Sequence, residues 1–397
     1  MNKKLVAAAL GLAFAAPVFA DSSNVTLYGR LHTAIENNNY EADSGDVGPS
    51  GPAIANYSSR LGVRGQEDLG GGLNAIFAIE FGVDSDDSGG AGSTRHTYIG
   101  MKSDSLGTFV IGQQDGGNDS QAPLYNQAQN YMLNGQNNAG ALSIVNGGSL
   151  PFQNALRDSL IEAAGGPPVT TASVGSNFAL ISRQQRVDNS IGYANTIAGV
   201  KISARHALTG ADANNSIASD ENDSSITEVS ADYTIGNLTF GGGYAGYNYS
   251  ASTEQAIRNV DNATLALGGA AGNAEAIQTL SVDNQYQLGA KYNFGAFTLA
   301  GLYGETELVI ENVDIRDVGL SALLPLTANS GLTGAFVDQQ IDLDGDKIDG
   351  TQLQLMYYYD FSKRTRTYAG VNRTEFEYEG GGEDTFTSLV AGIRHNF

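Results

Sequence analysis

The side chains able to do chemistry in this chain are present but not gathered. The four histidines, His32, His96, His206 and His395, stand far apart, with none of the spacings that bring metal ligands together. No glycine-rich phosphate loop and no nucleophile elbow occurs. Many serines leave a Ser–His hydrolase open in principle, yet nothing in the sequence pairs one with a histidine. The stretch Asp342-Leu343-Asp344-Gly345-Asp346-Lys347-Ile348-Asp349 spaces carboxylates that can ligate Ca²⁺ through oxygen, on what reads as an outer loop. Its glycine is misplaced for an EF-hand and no Glu follows at the twelfth position, so a solvated acidic loop is the expectation. No cofactor is called for.

What remains is charge. The formal net charge is −22 and becomes more negative if Lys3 and Lys4 are removed with the leader described below. Nucleic-acid binding needs a basic footprint and is excluded as a function class. Net charge does not set ion preference, because charge on exposed loops and charge in a channel are different quantities.

The elements that must position these residues show a period of two. In 284–294 Tyr286, Leu288, Ala290, Tyr292 and Phe294 fall on one face, while Gln285, Gln287, Lys291 and Asn293 fall on the other. Segment 351–361 repeats this with Leu353, Leu355, Tyr357, Tyr359 and Phe361. Short turns (Gly236-Asn237, Gly295-Ala296, Phe361–Arg364) alternate with long polar connections such as 209–223 and 250–281. Aromatic residues cluster beside the short turns. Loop asymmetry and an aromatic girdle distinguish a membrane barrel from a soluble sandwich. The expectation is an all-β, sixteen-stranded antiparallel transmembrane barrel. Its strands are placed at 24–37, 54–65, 72–83, 94–102, 107–113, 186–195, 199–209, 224–235, 238–249, 282–294, 297–305, 315–325, 331–340, 351–360, 366–378 and 384–397. An even count puts both ends on one side and lets the last strand close on the first, leaving no backbone group unpaired in lipid.

Residues 1–20 read as a secretory signal peptide: Lys3 and Lys4, an apolar run from Leu5 to Ala16, and Val18-Phe19-Ala20 before Asp21. Residues 21–397 form the barrel domain. The absence of cysteine means no disulfides after export. Some seventy residues between Gln114 and about Arg183 separate two strands, a length that connecting loops reach when functional or disordered.

The strings VTLYGRLHTAIE, SSRLGVRGQEDLGGGLNAIFAIE and SLVAGIRHNF resemble the Gram-negative general porins of the trimeric proteobacterial type, strand by strand over most of the chain. The resemblance implies an outer-membrane pore for passive diffusion of small hydrophilic solutes and ions. It also implies a homotrimer and a third loop folded inward to form a constriction. Alternative roles are a substrate-preferring channel, a barrel enzyme or an adhesin. The resemblance puts a basic wall at Arg30, Arg60 and Arg95, with Arg183 or Arg186 as a fourth, facing acidic residues on the long loop. The candidates there are Asp115, Asp119, Asp158 and Glu162; the proline–acid–aromatic–glycine motif of many such loops is not found. Terminal Phe397, with Ile393 and His395, resembles the signal read by the outer-membrane assembly machinery. Acidic loops can hold divalent ions that bridge lipopolysaccharide. Alternation agrees in part with the basic wall: Val25, Leu27 and Leu31 face lipid and send Arg30 and His32 inward. Likewise Val187, Ile191 and Tyr193 send Arg186 and Asp188 inward. An arginine facing lipid at mid-depth costs about 2–4 kcal/mol.

Overall fold

The structure is a computed structural model that describes residues 24–42, 50–57, 59–85, 91–115, 181–182, 186–207, 225–249, 280–309, 313–343, 346–379 and 381–397. Among these residues there is no helix, and the strands join one sheet. In chain order they are β1 (Asn24–Ala42), β2 (Gly51–Asn56), β3 (Arg60–Gly70), β4 (Leu73–Val83), β5 (Ala91–Ser103) and β6 (Gly107–Asp115). Then follow β7 (Ile181–Ser182), β8 (Arg186–Ile197), β9 (Val200–Ala207), β10 (Ser225–Ile235), β11 (Leu238–Asn248) and β12 (Leu280–Asn293). The last are β13 (Thr298–Leu308), β14 (Val313–Pro325), β15 (Ser330–Leu343), β16 (Asp346–Asp360), β17 (Thr365–Tyr378) and β18 (Glu383–Asn396).

Two of these segments are not separate staves of the barrel. Segments β2 and β3 both pair with β1 and form one interrupted strand. The short β7 lies parallel to the start of β12, outside the antiparallel ladder. Sixteen antiparallel staves remain, as the sequence pattern implies. They close where β1 pairs with β18 from Arg30↔Asn396 to Ala42↔Asp384. The seam is sealed below that ladder by Gly29 and Phe397, whose backbones exchange hydrogen bonds of 3.0 and 3.1 Å. A Cβ on Gly29 would stand 2.4 Å from the Phe397 ring and 2.7 Å from the Arg60 carbonyl, so this approach requires glycine.

The sheet is apolar outward and polar inward. On β1 Ile35 is 64% exposed while Ala34 beside it is 2% exposed. The same alternation exposes Leu288, Tyr292, Leu353, Leu355, Tyr357 and Tyr359 to the lipid side. Aromatic pairs gather at the short-turn end: Tyr292–Phe294 at 4.5 Å, the stacked Phe294–Phe297 at 4.6 Å and Tyr359–Phe361 at 5.0 Å between centroids. They form the girdle read from the sequence.

The segment expected as an acidic outer loop is instead a tight hairpin. Residues β15 and β16 stay paired out to Asp342↔Lys347 and Leu343↔Asp346. Ile341 and Ile348 are buried on the inner face, and their period of two continues both strands past the points where the sequence reading ended them. Asp342 and Asp349 therefore lie along the outer face of a ladder, where Asp349 accepts a 2.9 Å bond from Gln340. Among the described residues no group of three metal-ligating side chains is brought together.

Candidate functional site

The inner face of β1, β3, β5, β17 and β18 gathers the basic residues. Alternation on β1 turns Arg30 and His32 inward. Cross-strand register sets Arg30 opposite Arg60, His32 opposite Arg394, and Arg394 opposite Arg366. Four guanidiniums thus share one wall. Arg30 donates to Asn396 Oδ1 at 2.9 Å. Arg366 is held in a two-pronged pair by Asp360 at 2.6 and 2.7 Å, with its guanidinium 4.1 Å above the Tyr358 ring. Like charges placed opposite each other destabilise a sheet. A wall that tolerates them holds a standing attraction for anions.

Arg95 reaches this wall by a bulge. Between the pairs Ile79↔Thr97 and Phe81↔Thr94, the single residue Glu80 on β4 opposes both Arg95 and His96 on β5. Two residues against one re-aim the chain so that neighbours in sequence point to the same side. Arg95 Nε donates to Glu80 Oε1 at 2.6 Å, while Arg60 Nη1 and His96 Nε2 each lie 3.9 Å from the same oxygen. Glu80 and Arg95 are both buried. Glu80 therefore anchors three basic groups, with its shortest bond to Arg95.

Half-way around the closed sheet from β17 and β18 lie β9 and β10. Their inner faces are paired rung by rung: Arg205 donates to Glu228, Ser203 and Ser230 share a 2.6 Å bond, and Lys201 lies 3.4 Å from Asp232. Buried amides of Gln285, Gln287, Gln339, Gln352 and Gln354 line β12, β15 and β16. One wall is thus rich in cations, while the cations of β9 lie against carboxylates of β10.

Arg30, Arg60 and Arg95, expected from the resemblance, are brought together. The backbone of Arg186 pairs with that of Asp115 at the long-loop end of β8 and β6. Arg183, Asp119, Asp158, Glu162 and Asp344 lie outside the described residues, as do the side chains of Arg186, Asp115 and Asp346. The sequence reading missed Glu80, Arg366 and Arg394. Arg394 was within reach, since lipid-facing Leu389 and Ile393 put it on the inner face. Glu80 carries no such mark, because its role depends on which residues the bulge delivers to it.

A family model described as Gram-negative porin matches residues 6–378. The chain belongs to the Gram-negative porin family. It is 26% identical to the outer membrane porin protein 32 of Delftia acidovorans, over 100% of both chains. Its fold is similar to a solved anion-selective porin from Comamonas acidovorans, with a TM-score of 0.62 and 21% identity over 95% of this chain and 100% of that one. It is similar as well to the trimer form of OmpT of Vibrio cholerae, with a TM-score of 0.56 and 17% identity over 95% of this chain and 100% of that one. This porin is an outer-membrane channel for passive diffusion of small hydrophilic solutes and ions. Its polar inner face, closed ladder and apolar outer face are the physical means.

Proposed function

We propose that the porin prefers anions and that Arg30, Arg60 and Arg394 set the preference. The observation that carries this reading is the register that places these three guanidiniums on one inner wall, while the buried carboxylate nearest them bonds Arg95. Rings of basic side chains bias a channel towards anions. The anion selectivity named for the Comamonas porin supports the same sign. In this reading Arg95 stabilises the wall through Glu80, and Glu228 and Asp232 on the far wall are compensated by Arg205 and Lys201. Residues 1–20 are removed on export, and the mature chain assembles as a homotrimer without enzymatic activity. The trimer form of OmpT supports that assembly, and a native mass equal to one chain would remove it. Acidic residues of the long segment, Asp115, Asp119, Asp158 and Glu162, complete the opposite face, and Phe397 serves the assembly machinery.

The test is a reversal potential across a planar bilayer in a KCl gradient. The sign expected is that of chloride carrying most of the current, with Arg60→Glu moving it towards cations. A cation-preferring wild type, or an Arg60→Glu channel with an unchanged potential, overturns the assignment.

A further inference from the structure

A diffusion pore is wet and polar inside, so a dry cluster on its inner face needs an account. Ala34 on β1, Met356 and Tyr358 on β16, Tyr368 on β17 and Val390 on β18 form such a cluster with Tyr57. The first five face inward by ordinary alternation. Tyr57 comes from the break between β2 and β3.

The break is a bulge. Thr33 pairs with Asn56 and Arg30 with Arg60, so three residues, 57–59, oppose two, 31–32. Ala55 pairs with inward-facing Ala34, and Ile54 with lipid-facing Ile35, so inward positions on β2 are odd-numbered. On β3 they are even-numbered. The extra residue changes the parity, and Tyr57 and Arg60 both face the lumen.

The break is pinned on both sides. Tyr57 N donates to the His32 carbonyl at 2.8 Å, and His32 N donates to Ser59 Oγ at 2.9 Å. On the β4 side, Val83 N donates to the Ser59 carbonyl at 2.8 Å and Asn56 Nδ2 to the Val83 carbonyl at 2.9 Å. The Tyr57 ring lies 5.2 Å from the His32 ring, and His32 Nε2 shares a 2.8 Å hydrogen bond with the Tyr368 hydroxyl. Tyr57 is thus locked onto the strands that carry Arg30, Arg366 and Arg394.

We propose that Tyr57 is a size-determining residue of this pore: carried inward by the β2–β3 bulge, it completes a dry aromatic ridge that narrows the passage from the arginine wall. The ridge acts on every solute by volume, whatever its charge. It rests on the pore function and is separable from the ion preference proposed above.

The experiment compares wild type with Tyr57→Ala, Tyr57→Val and Tyr57→Phe. Single-channel conductance is read in a planar bilayer, and liposome swelling is read with neutral sugars of increasing mass. Folding of each variant is checked by its heat-induced gel shift. Removing the ring is expected to raise conductance above that of wild type and to speed entry of the largest sugar more than that of the smallest. Tyr57→Phe, which keeps the ring, should match wild type. The valine variant keeps apolar packing in the break and serves if the alanine variant does not fold. Unchanged conductance and an unchanged sugar cut-off in a folded alanine or valine variant overturn the ridge. If Arg60→Glu still shifts the reversal potential in that case, only the ridge has failed. A moved cut-off with no anion preference in the wild type leaves the ridge standing and removes the charge assignment.

Discussion

At the scale of single residues, Glu80 decides how much of the arginine charge is free. It is buried, and its 2.6 Å bond to Arg95 removes most of that cation's field from the passage. Removing one partner of a buried ion pair costs about 3–5 kcal/mol, because the other is left uncompensated. Glu80→Gln keeps the shape and one acceptor oxygen but withdraws the charge. Two effects are expected together: a reversal potential further towards anions, and unfolding at lower denaturant concentration. Electrophysiology and urea titration of the same sample read both. A Glu80→Gln channel with wild-type selectivity would mean that Arg95 already acts on passing ions despite its partner. Arg366 offers a contrast. Its pair with Asp360 leaves the guanidinium stacked on Tyr358 and half-buried, so it contributes packing as well as charge.

At the scale of elements, two bulges do what regular strands cannot. The alternation of Ile99 and Met101 on β5, both lipid-exposed, would carry through Thr97 and put Arg95 in lipid. The bulge opposite Glu80 reverses that. The one at 57–59 does the same for Tyr57 and Arg60. This explains which parts of the molecule were legible beforehand. Strand number, turn positions, the aromatic girdle and the inward aim of Arg30 follow from a strict period of two, and that period is written in the residue types. A bulge is one extra residue in one strand relative to its partner, so it exists only in a pairing register. No run of residues such as Asn56-Tyr57-Ser58-Ser59 displays it. The strand read as continuous over 54–65 is for this reason two segments, and the carboxylate hairpin at 342–349 was cut short for want of its partner. Deleting Ser58 leaves two residues against two and restores the regular parity. Tyr57 and Arg60 then stand two positions apart, opposite inward-facing His32 and Arg30, so ordinary alternation turns both to the inner side. The deletion, like Ser58→Ala, is expected to leave the reversal potential and the conductance in a planar bilayer at their wild-type values. A shifted reversal potential in a folded deletion variant would show that the extra residue itself, and not the parity across the break, aims these side chains.

At the scale of the whole molecule, the sign of the net charge and the proposed sign of the ion preference are opposite. The chain carries −22, yet the inner wall of β1, β3, β17 and β18 is basic. The two coexist because electrostatic reach is short. At 0.1 M ionic strength the screening length is about 10 Å, and at 1 M about 3 Å. Acidic residues on the outer face, such as Asp342 and Asp349, are therefore screened from an ion inside the barrel, while the arginine wall is not. Reach also separates two ways in which the wall can work. If the arginines act through their field, selectivity should fall as salt rises, because at about 1 M the field no longer spans the passage. If ions are selected by direct contact with the guanidiniums, selectivity should persist. The facing register of Arg30 with Arg60 and of Arg394 with Arg366 spreads charge over a broad surface, which favours the field. The expected outcome is a chloride-to-potassium permeability ratio that is larger in gradients centred near 0.1 M than in gradients centred near 1 M. A ratio that holds constant over that range, measured on the same channels, would transfer the selectivity from the wall as a whole to a contact site on individual arginines.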